Sequence, residues 1–495
     1  MAEEKQDKKK PTSIREILRW ILCGLLGLLL IAALIVQAPG KIVTLLVVFV
    51  LGCAALPKGV RRWFWLCTAA AAIGLAAWIF VPDSGDDWEP HTFAEEIGAL
   101  QAGCAIPDEE NAATVYNRLL EDYDPAEMKL TFLDPGQKSI TLSQPWLSDA
   151  YPNVALWLQE RQELIAELLR ASEMQECRLP LNFDLVITNR MELNRYPSLQ
   201  SWAAMLLRAG NNDMAEGRIG QAVTKYIGAL RIAGHLYQQQ QMVDFLIGFG
   251  IESITLRPLN RFVVQGQANE EQLQRISQSL ENLKNTWSSD FRKCLDYDKL
   301  FAKNAFCTLA YQRNLQGKVR LSRNPIAAIR YGFRRMTPQT YWQKTSTKAS
   351  AMLAWWFLPA TPGRAARMID THYEKYYQMA EPDFDWQQVH IDPVPRFRPN
   401  SRFVIRMLTD NTTRLYRPFH ETYLRRLALR RGSRLLVAIR QYQIEHNAWP
   451  DDLGAIRAVV PAEALIDPVT ANEFEYENHG EYFSLKAESA DIWPK

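Results

Sequence analysis

The chain has 495 residues, of which 47% are hydrophobic and 23% are charged, a composition that is ordinary for globular proteins and excludes a fibrous or wholly disordered chain. This length predicts about two to four domains. The net charge of +2 conceals an asymmetry, because residues 83–298 carry 32 acidic and 18 basic side chains, whereas residues 299–369 carry 13 basic ones and no Asp or Glu. Such segregation indicates either different partners for the two regions or mutual packing that neutralises them.

Three apolar runs near the N-terminus predict a membrane anchor over residues 1–82. They are Trp20–Val36, Ile42–Leu56 and Trp63–Val81. A helix needs about 20 residues to cross the hydrocarbon core of a bilayer, so the first and third runs are long enough. The middle run spans the bilayer only if its flanks are included, and a re-entrant segment is the alternative.

Basic residues set the predicted orientation of this anchor. They precede the first run and lie between the second and third runs, at Lys5, Lys8, Lys9, Lys10, Lys58, Arg61 and Arg62. The segment after the third run is acidic. Because Lys and Arg are retained on the cytoplasmic side, the pattern predicts a multi-pass inner-membrane protein with its N-terminus in the cytoplasm and residues 83–495 outside it.

The exported part is predicted to be α-helical. Apolar residues recur at helical spacing in residues 107–123, 153–175, 239–265 and 269–312. The first of these helices is expected to begin at Pro107, where carboxylates follow in the first turn.

Four cysteines also lie in the exported part, at Cys104, Cys177, Cys294 and Cys307. An oxidising compartment permits three disulfide connectivities, and their spacing does not choose among them. Free buried thiols are the alternative.

Residues 201–238 resemble one helical hairpin of the tetratricopeptide type. Gly210 and Ala222 fall at that repeat's spacing and allow two helices to approach closely, and Tyr226 is expected to fill the groove between them. The resemblance covers about 30 residues and has no second copy at the expected period. A generic antiparallel pair of helices is the alternative.

Residues 313–400 are predicted to form a basic, aromatic-rich connector. Its candidate interaction residues are Arg330, Arg334, Arg335, Trp355 and Trp356. Tryptophans beside a basic stretch are typical of membrane interfaces, so membrane lipid is an expected partner. A core helix under a solvated basic loop is the alternative. The predicted export argues against nucleic acid as a partner.

Residues 395–440 contain 12 arginines and only two acidic residues, Asp410 and Glu421. Apolar residues at roughly helical spacing predict a long helix here, which Pro418 should kink or divide. Arg425 and Arg426 are its candidate interaction residues. Arginine binds phosphates and carboxylates through two hydrogen bonds, so the expected partners are anionic lipid headgroups, anionic wall polymers or the chain's own acidic half.

Residues 430–487 resemble the C-terminal part of the major pseudopilins of type II secretion. A helix, a short helix, an Asp-Pro pair and two strands joined by a hairpin turn follow in the order seen in that family. The matching residues are Tyr442, Pro450, Leu453, Asp467, Pro468, Phe474, Tyr476, Gly480 and Phe483. The family's membrane helix and its calcium-binding end have no counterpart here. Tyr442 and Trp449 complete the candidate interaction surface.

A wider resemblance covers residues 106–116, 176–181 and 203–234 together with this tail. These segments look like a family of bacterial envelope proteins that have no established activity. The resemblance implies a helical exported domain with a pilin-like end.

The sequence contains no motif for catalysis, a cofactor or a metal. Its seven histidines form neither HxxxH nor HExxH, and no GxSxG, Walker loop or dinucleotide-binding loop occurs. We therefore expect no cofactor and no catalytic site, although dispersed catalytic residues would leave no local signature.

The expected fold is mainly α, with a three-helix membrane anchor at the N-terminus. An acidic helical domain is predicted for residues 83–312, the connector for residues 313–400, and the Arg-rich helix with a small α+β pilin-like end for residues 401–495. The expected function is a membrane-anchored binding or scaffold protein of the bacterial envelope, with envelope or secretion-system proteins among its partners. An envelope hydrolase acting on cell-wall or lipid substrates and a structural homo-oligomer are the alternatives.

Overall fold

The computed structural model describes residues 88–184, 190–265, 268–283, 285–314, 319–321, 361–386, 415–488 and 490–493. Across these residues the chain is mainly helical, as predicted, with two small antiparallel sheets. No helix in this part of the chain is both long enough and apolar enough to cross a membrane. The three predicted spans lie outside the described residues.

Twelve α-helices occur in the described residues. In chain order they are α1 (Ala94–Cys104), α2 (Ala112–Asp122), α3 (Pro135–Ser143), α4 (Pro152–Gln159), α5 (Gln162–Glu173), α6 (Arg190–Ala215), α7 (Ile219–Tyr237), α8 (Met242–Val264), α9 (Glu270–Glu281), α10 (Trp287–Ala310), α11 (Pro362–Tyr377) and α12 (Tyr416–His446). The strands are β1 (Trp88–Pro90), β2 (Tyr311–Asn314), β3 (Val319–Leu321), β4 (Glu475–Asn478), β5 (Phe483–Ala487) and β6 (Ala490–Trp493).

The chain forms two compact units. One contains residues 1–92, 306–369 and 392–411, and the other contains residues 93–305, 370–391 and 412–495. In the first unit, β2 lies between β1 and β3 in an antiparallel sheet. The second unit holds two parts that we call the helical body (residues 93–305) and the C-terminal module (residues 415–493).

Glycine facing tyrosine is the repeated feature of helix packing in the helical body. A Cβ atom on Gly210 of α6 would lie 2.8 Å from Cε1 of Tyr226 on α7. One on Gly248 of α8 would lie 2.6 Å from Cε1 of Tyr237, also on α7. Tyr226 therefore fills the groove at Gly210, as the sequence predicted, and α7 makes a second contact of the same kind with α8.

The Gly248 contact predicts a stability difference between two glycine variants. Gly248→Ala forces a methyl group into the Tyr237 ring, and such overpacking lowers the free energy of unfolding by about 1–3 kcal/mol. Gly220→Ala is the control, because Gly220 lies on α7 with nothing within 4 Å of a Cβ atom. It should raise that free energy by about 0.5–1 kcal/mol. Thermal unfolding of the full chain measures both, and equal melting temperatures would contradict the close contact.

One predicted helix start was wrong. The first helix begins at Ala112 rather than Pro107, because Asn111 caps it by accepting a hydrogen bond from the Ala113 N–H. The Asn111 side chain also accepts a hydrogen bond from the Arg178 N–H at 2.8 Å and donates one to the Arg178 carbonyl at 3.2 Å. Asn111 therefore joins the start of α2 to the loop after α5, a contact that local sequence does not reveal.

Two predicted long helices are divided. Residues 153–175 form α4 and α5, and the Arg161 side chain between them donates to the Trp157 carbonyl at 3.1 Å. Residues 269–312 form α9 and α10 and then enter β2. The single helices expected for these ranges were therefore wrong.

A long helix against a three-stranded sheet forms the C-terminal module. β4 and β6 both pair with β5 antiparallel, and β6 was not predicted. Gly432 lets α12 approach this sheet, because a Cβ atom there would lie 2.8 Å from Ile492 on β6. Pro418 falls in the first turn of α12, a position that tolerates proline, so the helix is not divided in the described residues.

The turn after α12 holds the hairpin in place. Asn447 ends the helix in the left-handed conformation, with φ of 55°. The Trp449 indole then donates to the Glu481 carbonyl at 3.3 Å, and the Tyr476 hydroxyl donates to the Pro450 carbonyl at 2.8 Å. The Trp-Pro pair therefore clamps the β4–β5 hairpin against the end of the helix.

Candidate functional site

The predicted interaction residues lie in different places. Arg330, Arg334, Arg335, Trp355 and Trp356 lie outside the described residues. The other four belong to the C-terminal module: Arg425 is exposed, and Arg426, Tyr442 and Trp449 are half-buried.

Contacts distinguish these four side chains. Arg426 donates to the Ser253 hydroxyl of α8. The Tyr442 ring stacks on His446, with ring centroids 4.0 Å apart. Arg426 therefore faces the helical body, whereas Tyr442 lies at the far end of α12.

A buried ion pair joins the C-terminal module to the helical body. Nε and Nη2 of Arg430 donate to Oε1 and Oε2 of Glu252, each at 2.7 Å. Glu252 has no exposed surface. The third guanidinium nitrogen donates to the Leu283 carbonyl and to the side-chain oxygen of Asn285, in the break between α9 and α10. Arg430 thus connects α12 with α8 and with the α9–α10 loop.

Tyr237 completes this cluster from α7. Its hydroxyl donates to Glu252 at 2.5 Å, and the Arg430 guanidinium carbon lies 5.4 Å from its ring centroid. Burial and the nearby Glu252 charge raise the pKa of Tyr237 well above its ordinary value. Burial by itself lowers the pKa of Arg430, but the charge of Glu252 and the hydrogen bonds to it outweigh that effect and raise the pKa.

Removing one partner of this pair should be costly. Glu252→Gln leaves the Arg430 charge buried without a counter-charge, and breaking a buried pair in this way lowers the free energy of unfolding by about 3–5 kcal/mol. The control is Glu281→Gln, because Glu281 is exposed and lies 3.6 Å from Arg434. An exposed pair contributes at most about 1 kcal/mol. Similar melting temperatures for the two variants would show that Arg430 does not depend on Glu252.

A groove opens beside this junction, with a volume of about 660 Å³. It lies among α8, the end of α3, and Leu429 and β6 of the C-terminal module. The residues that line it are Ser143, Gln144, Pro145, Ser253, Leu256, Arg257, Asn260, Arg261, Gln265, Leu429, Ile492 and Trp493. None of them is acidic. We call this feature the cationic groove.

One face of α8 supplies the polar side of the cationic groove. Ser253, Arg257 and Arg261 are spaced by four residues and so lie on one face of the helix. These residues were not predicted from the sequence. Their four-residue spacing along one predicted helix is the signal that would have revealed them.

His235, which is buried, and His420, which is half-buried, have structural contacts. His235 lies between the Tyr116 hydroxyl at 2.9 Å and the Met174 carbonyl at 2.8 Å, and burial lowers its pKa to about 4. His420 stacks on Trp386 with ring centroids 4.2 Å apart, and burial lowers its pKa to about 4 as well. Both imidazoles are therefore neutral at ordinary pH.

The four cysteines in the described residues are free thiols. Cys177, Cys294 and Cys307 are buried, and Cys104 is partly exposed. Burial raises the pKa of the Cys177 thiol to about 12 and that of Cys294 well above its ordinary value. Neither group is a thiolate at neutral pH, which removes the nucleophilic form of the side chain.

Asp244, in the first turn of α8, is a buried carboxyl group of a different kind. It is 3% exposed, and one of its oxygens has no hydrogen-bond partner. Burial raises its pKa to about 7, and a hydrogen bond from Tyr196 and the nearby Arg195 charge only partly oppose that effect. Asp244 is therefore poised between its neutral and charged forms near neutral pH.

Asp244 predicts a stability that depends on pH. The pKa of Asp244 is about 7 in the folded chain, above the ordinary value of 3.8. Its contribution to the free energy of unfolding is therefore fully present below the ordinary value and is lost as pH rises through 7. Asp244→Asn removes the titrating group. The melting temperature of this variant should therefore rise relative to that of the wild type as pH increases from about 5 to about 8.5. The control is Asp122→Asn at an exposed position. A difference from the wild type that stays constant with pH would contradict the assignment.

Within the part of the chain that the structure describes, no group of three or more His, Cys, Asp or Glu residues is arranged to hold a metal ion. Comparisons of the chain with protein-family models, with curated proteins and with solved structures find no match. The resemblances to major pseudopilins and to the bacterial envelope family stay predictions.

Proposed function

We propose that this chain is a membrane-anchored, extracytoplasmic binding or scaffold protein of the bacterial envelope. The anchor and the export of residues 83–495 rest on the apolar runs and the distribution of basic residues. The observation that supports the binding function is the junction of the helical body with the C-terminal module. There the two parts share a buried ion pair and form one compact unit with a groove between them.

The side chains of the cationic groove favour binding over catalysis. General acid–base catalysis needs a group whose pKa is close to the working pH, and covalent catalysis needs an activated nucleophile. The polar groups that line the groove are guanidinium, amide and hydroxyl groups, and none of them is a carboxylate, imidazole or thiol. Guanidinium groups stay charged and are suited to holding an anion.

The free end of the C-terminal module supplies a second surface. Tyr482 beside the β4–β5 turn is 59% exposed, and Ile444 near the end of α12 is 42% exposed. The clamp between Trp449 and Glu481 fixes the hairpin beside the helix end. Exposed apolar side chains suit contact with another protein, so we propose that envelope or secretion-system proteins bind at this end.

Crosslinking in native membranes tests this proposal. The full chain is crosslinked, purified in mild detergent and analysed by mass spectrometry. We expect a defined set of envelope or secretion-system proteins, reduced several-fold by the double variant Ile444→Ser and Tyr482→Ser. The control is Leu156→Ser on α4, because Leu156 is exposed but belongs to the helical body.

Other outcomes would reject the scaffold function. Recovery of copies of this chain alone would favour the structural homo-oligomer. Bound wall or lipid fragments that the purified chain cleaves would favour the hydrolase. A partner set that both variants retain equally would remove the free end of the module from the proposal.

A further inference from the structure

The cationic groove holds positive charge that the described residues do not neutralise. Arg257 makes no hydrogen bond or ion pair with any of them, and Arg261 donates to the Ser143 carbonyl at 3.0 Å. Arg426, at the Ser253 edge of the groove, donates to a hydroxyl. By contrast, Arg430 and Arg434 both pair with carboxylates of the helical body. The arginines at the junction therefore form two sets. The paired set, Arg430 and Arg434, binds carboxylates, and the unpaired set, Arg257, Arg261 and Arg426, does not.

Like charges in the unpaired set also lie close enough to affect one another. Burial lowers the pKa of Arg426, and the charges of Arg257 and Arg425 lower it further, although Glu252 opposes them. Holding several guanidinium groups together costs free energy unless an anion binds between them. An anionic ligand bound between these guanidinium groups would remove that cost and so stabilise the folded chain.

Asn260 is an independent observation that points to a ligand. It lines the groove and is only 8% exposed, yet its carboxamide forms no hydrogen bond with any described residue. The amide atoms of Asn260 are not sealed from the groove, so the carboxamide has both a donor and an acceptor available to a ligand there. Asn260 lies three residues after Arg257 and directly before Arg261, so it faces the same opening.

The opposite wall of the groove is apolar. Leu429, Ile492 and Trp493 of the C-terminal module face Leu256 of α8 across the opening. A volume of about 660 Å³ is in the range of pockets that bury a small organic ligand. The site therefore combines a cationic side, a neutral hydrogen-bonding group and a surface for hydrocarbon.

We propose that the cationic groove binds a phosphate-bearing amphiphile, with the phosphate against Arg257, Arg261 and Asn260 and the apolar part against Leu429, Ile492 and Trp493. A phosphate monoester carries about −1.5 to −2 charge at pH 7 and three acceptor oxygens, which suits several guanidinium groups better than the single charge of a carboxylate. This inference rests on the proposed binding function and names the class of ligand.

The test uses the purified full chain in a neutral detergent and isothermal titration calorimetry. The probes are dihexanoyl phosphatidic acid, inorganic phosphate and dihexanoyl phosphatidylcholine. We expect saturable binding of the phosphatidic acid and none of the phosphatidylcholine, whose phosphate is a diester beside a cation. Equal affinity for inorganic phosphate would identify free phosphate as the ligand, and weaker affinity would identify the amphiphile.

Three variants decide whether the groove is the site. Arg257→Gln should weaken binding about tenfold or more, because a charge-assisted hydrogen bond is lost. Asn260→Leu should weaken it several-fold while keeping the volume. Arg231→Gln is the control, since Arg231 is exposed on α7 and does not line the groove. Because Arg257 is itself exposed and unpaired, its replacement should not lower the melting temperature.

Two results would overturn the inference. One is the absence of saturable binding of every phosphate probe. The other is an equal loss of affinity in Arg231→Gln and Arg257→Gln, which would show charge attraction without a defined site. Either result with the protein partners still captured in native membranes would leave the proposed scaffold function standing. Phosphate binding without captured partners would reject that function alone.

Discussion

The Arg430–Glu252 pair is the constraint on which the second unit depends. Its two hydrogen bonds of 2.7 Å fix the position of α12 along α8 and the rotation of α12 about its own axis. Gly432, two residues further on, then brings Ile492 of β6 against the same helix. α12 therefore positions the β4–β6 sheet, and β6 of that sheet supplies part of the apolar wall of the cationic groove. The shape of the groove therefore depends on an ion pair whose two residues do not line it.

Sequence reasoning succeeded where the determining interactions are local. Apolar spacing identified α2 and α8, and the hairpin in the tail was predicted from short-range signals such as the turn residue Gly480. It failed where distant residues decide. The break after α9 is occupied by Arg430, which binds the Leu283 carbonyl and the Asn285 side chain. An unbroken apolar pattern cannot show that a residue far along the chain needs those acceptors.

The candidate site shows the same limit. Arg425 and Arg426 were recognisable from the density of arginine, but density does not distinguish a paired guanidinium from an unpaired one. That distinction depends on which carboxylates the fold brings near, and it separates Arg430 from Arg257. The stripe of Ser253, Arg257 and Arg261 was visible in the sequence as a spacing. Its meaning needed the wall that Trp493 supplies from the other end of the chain.

The distance along the chain between the two members of the pair has a consequence for biosynthesis. Glu252 and Arg430 are 178 positions apart, so the helical body is translated long before its buried carboxylate has a counter-charge. A nascent or prematurely terminated polypeptide that ends ahead of Arg430 lacks both the counter-charge of Glu252 and the part of α12 that carries it. Only a molecule translated through α12 can form this pair, so the packing of α8 at Glu252 is completed late in synthesis.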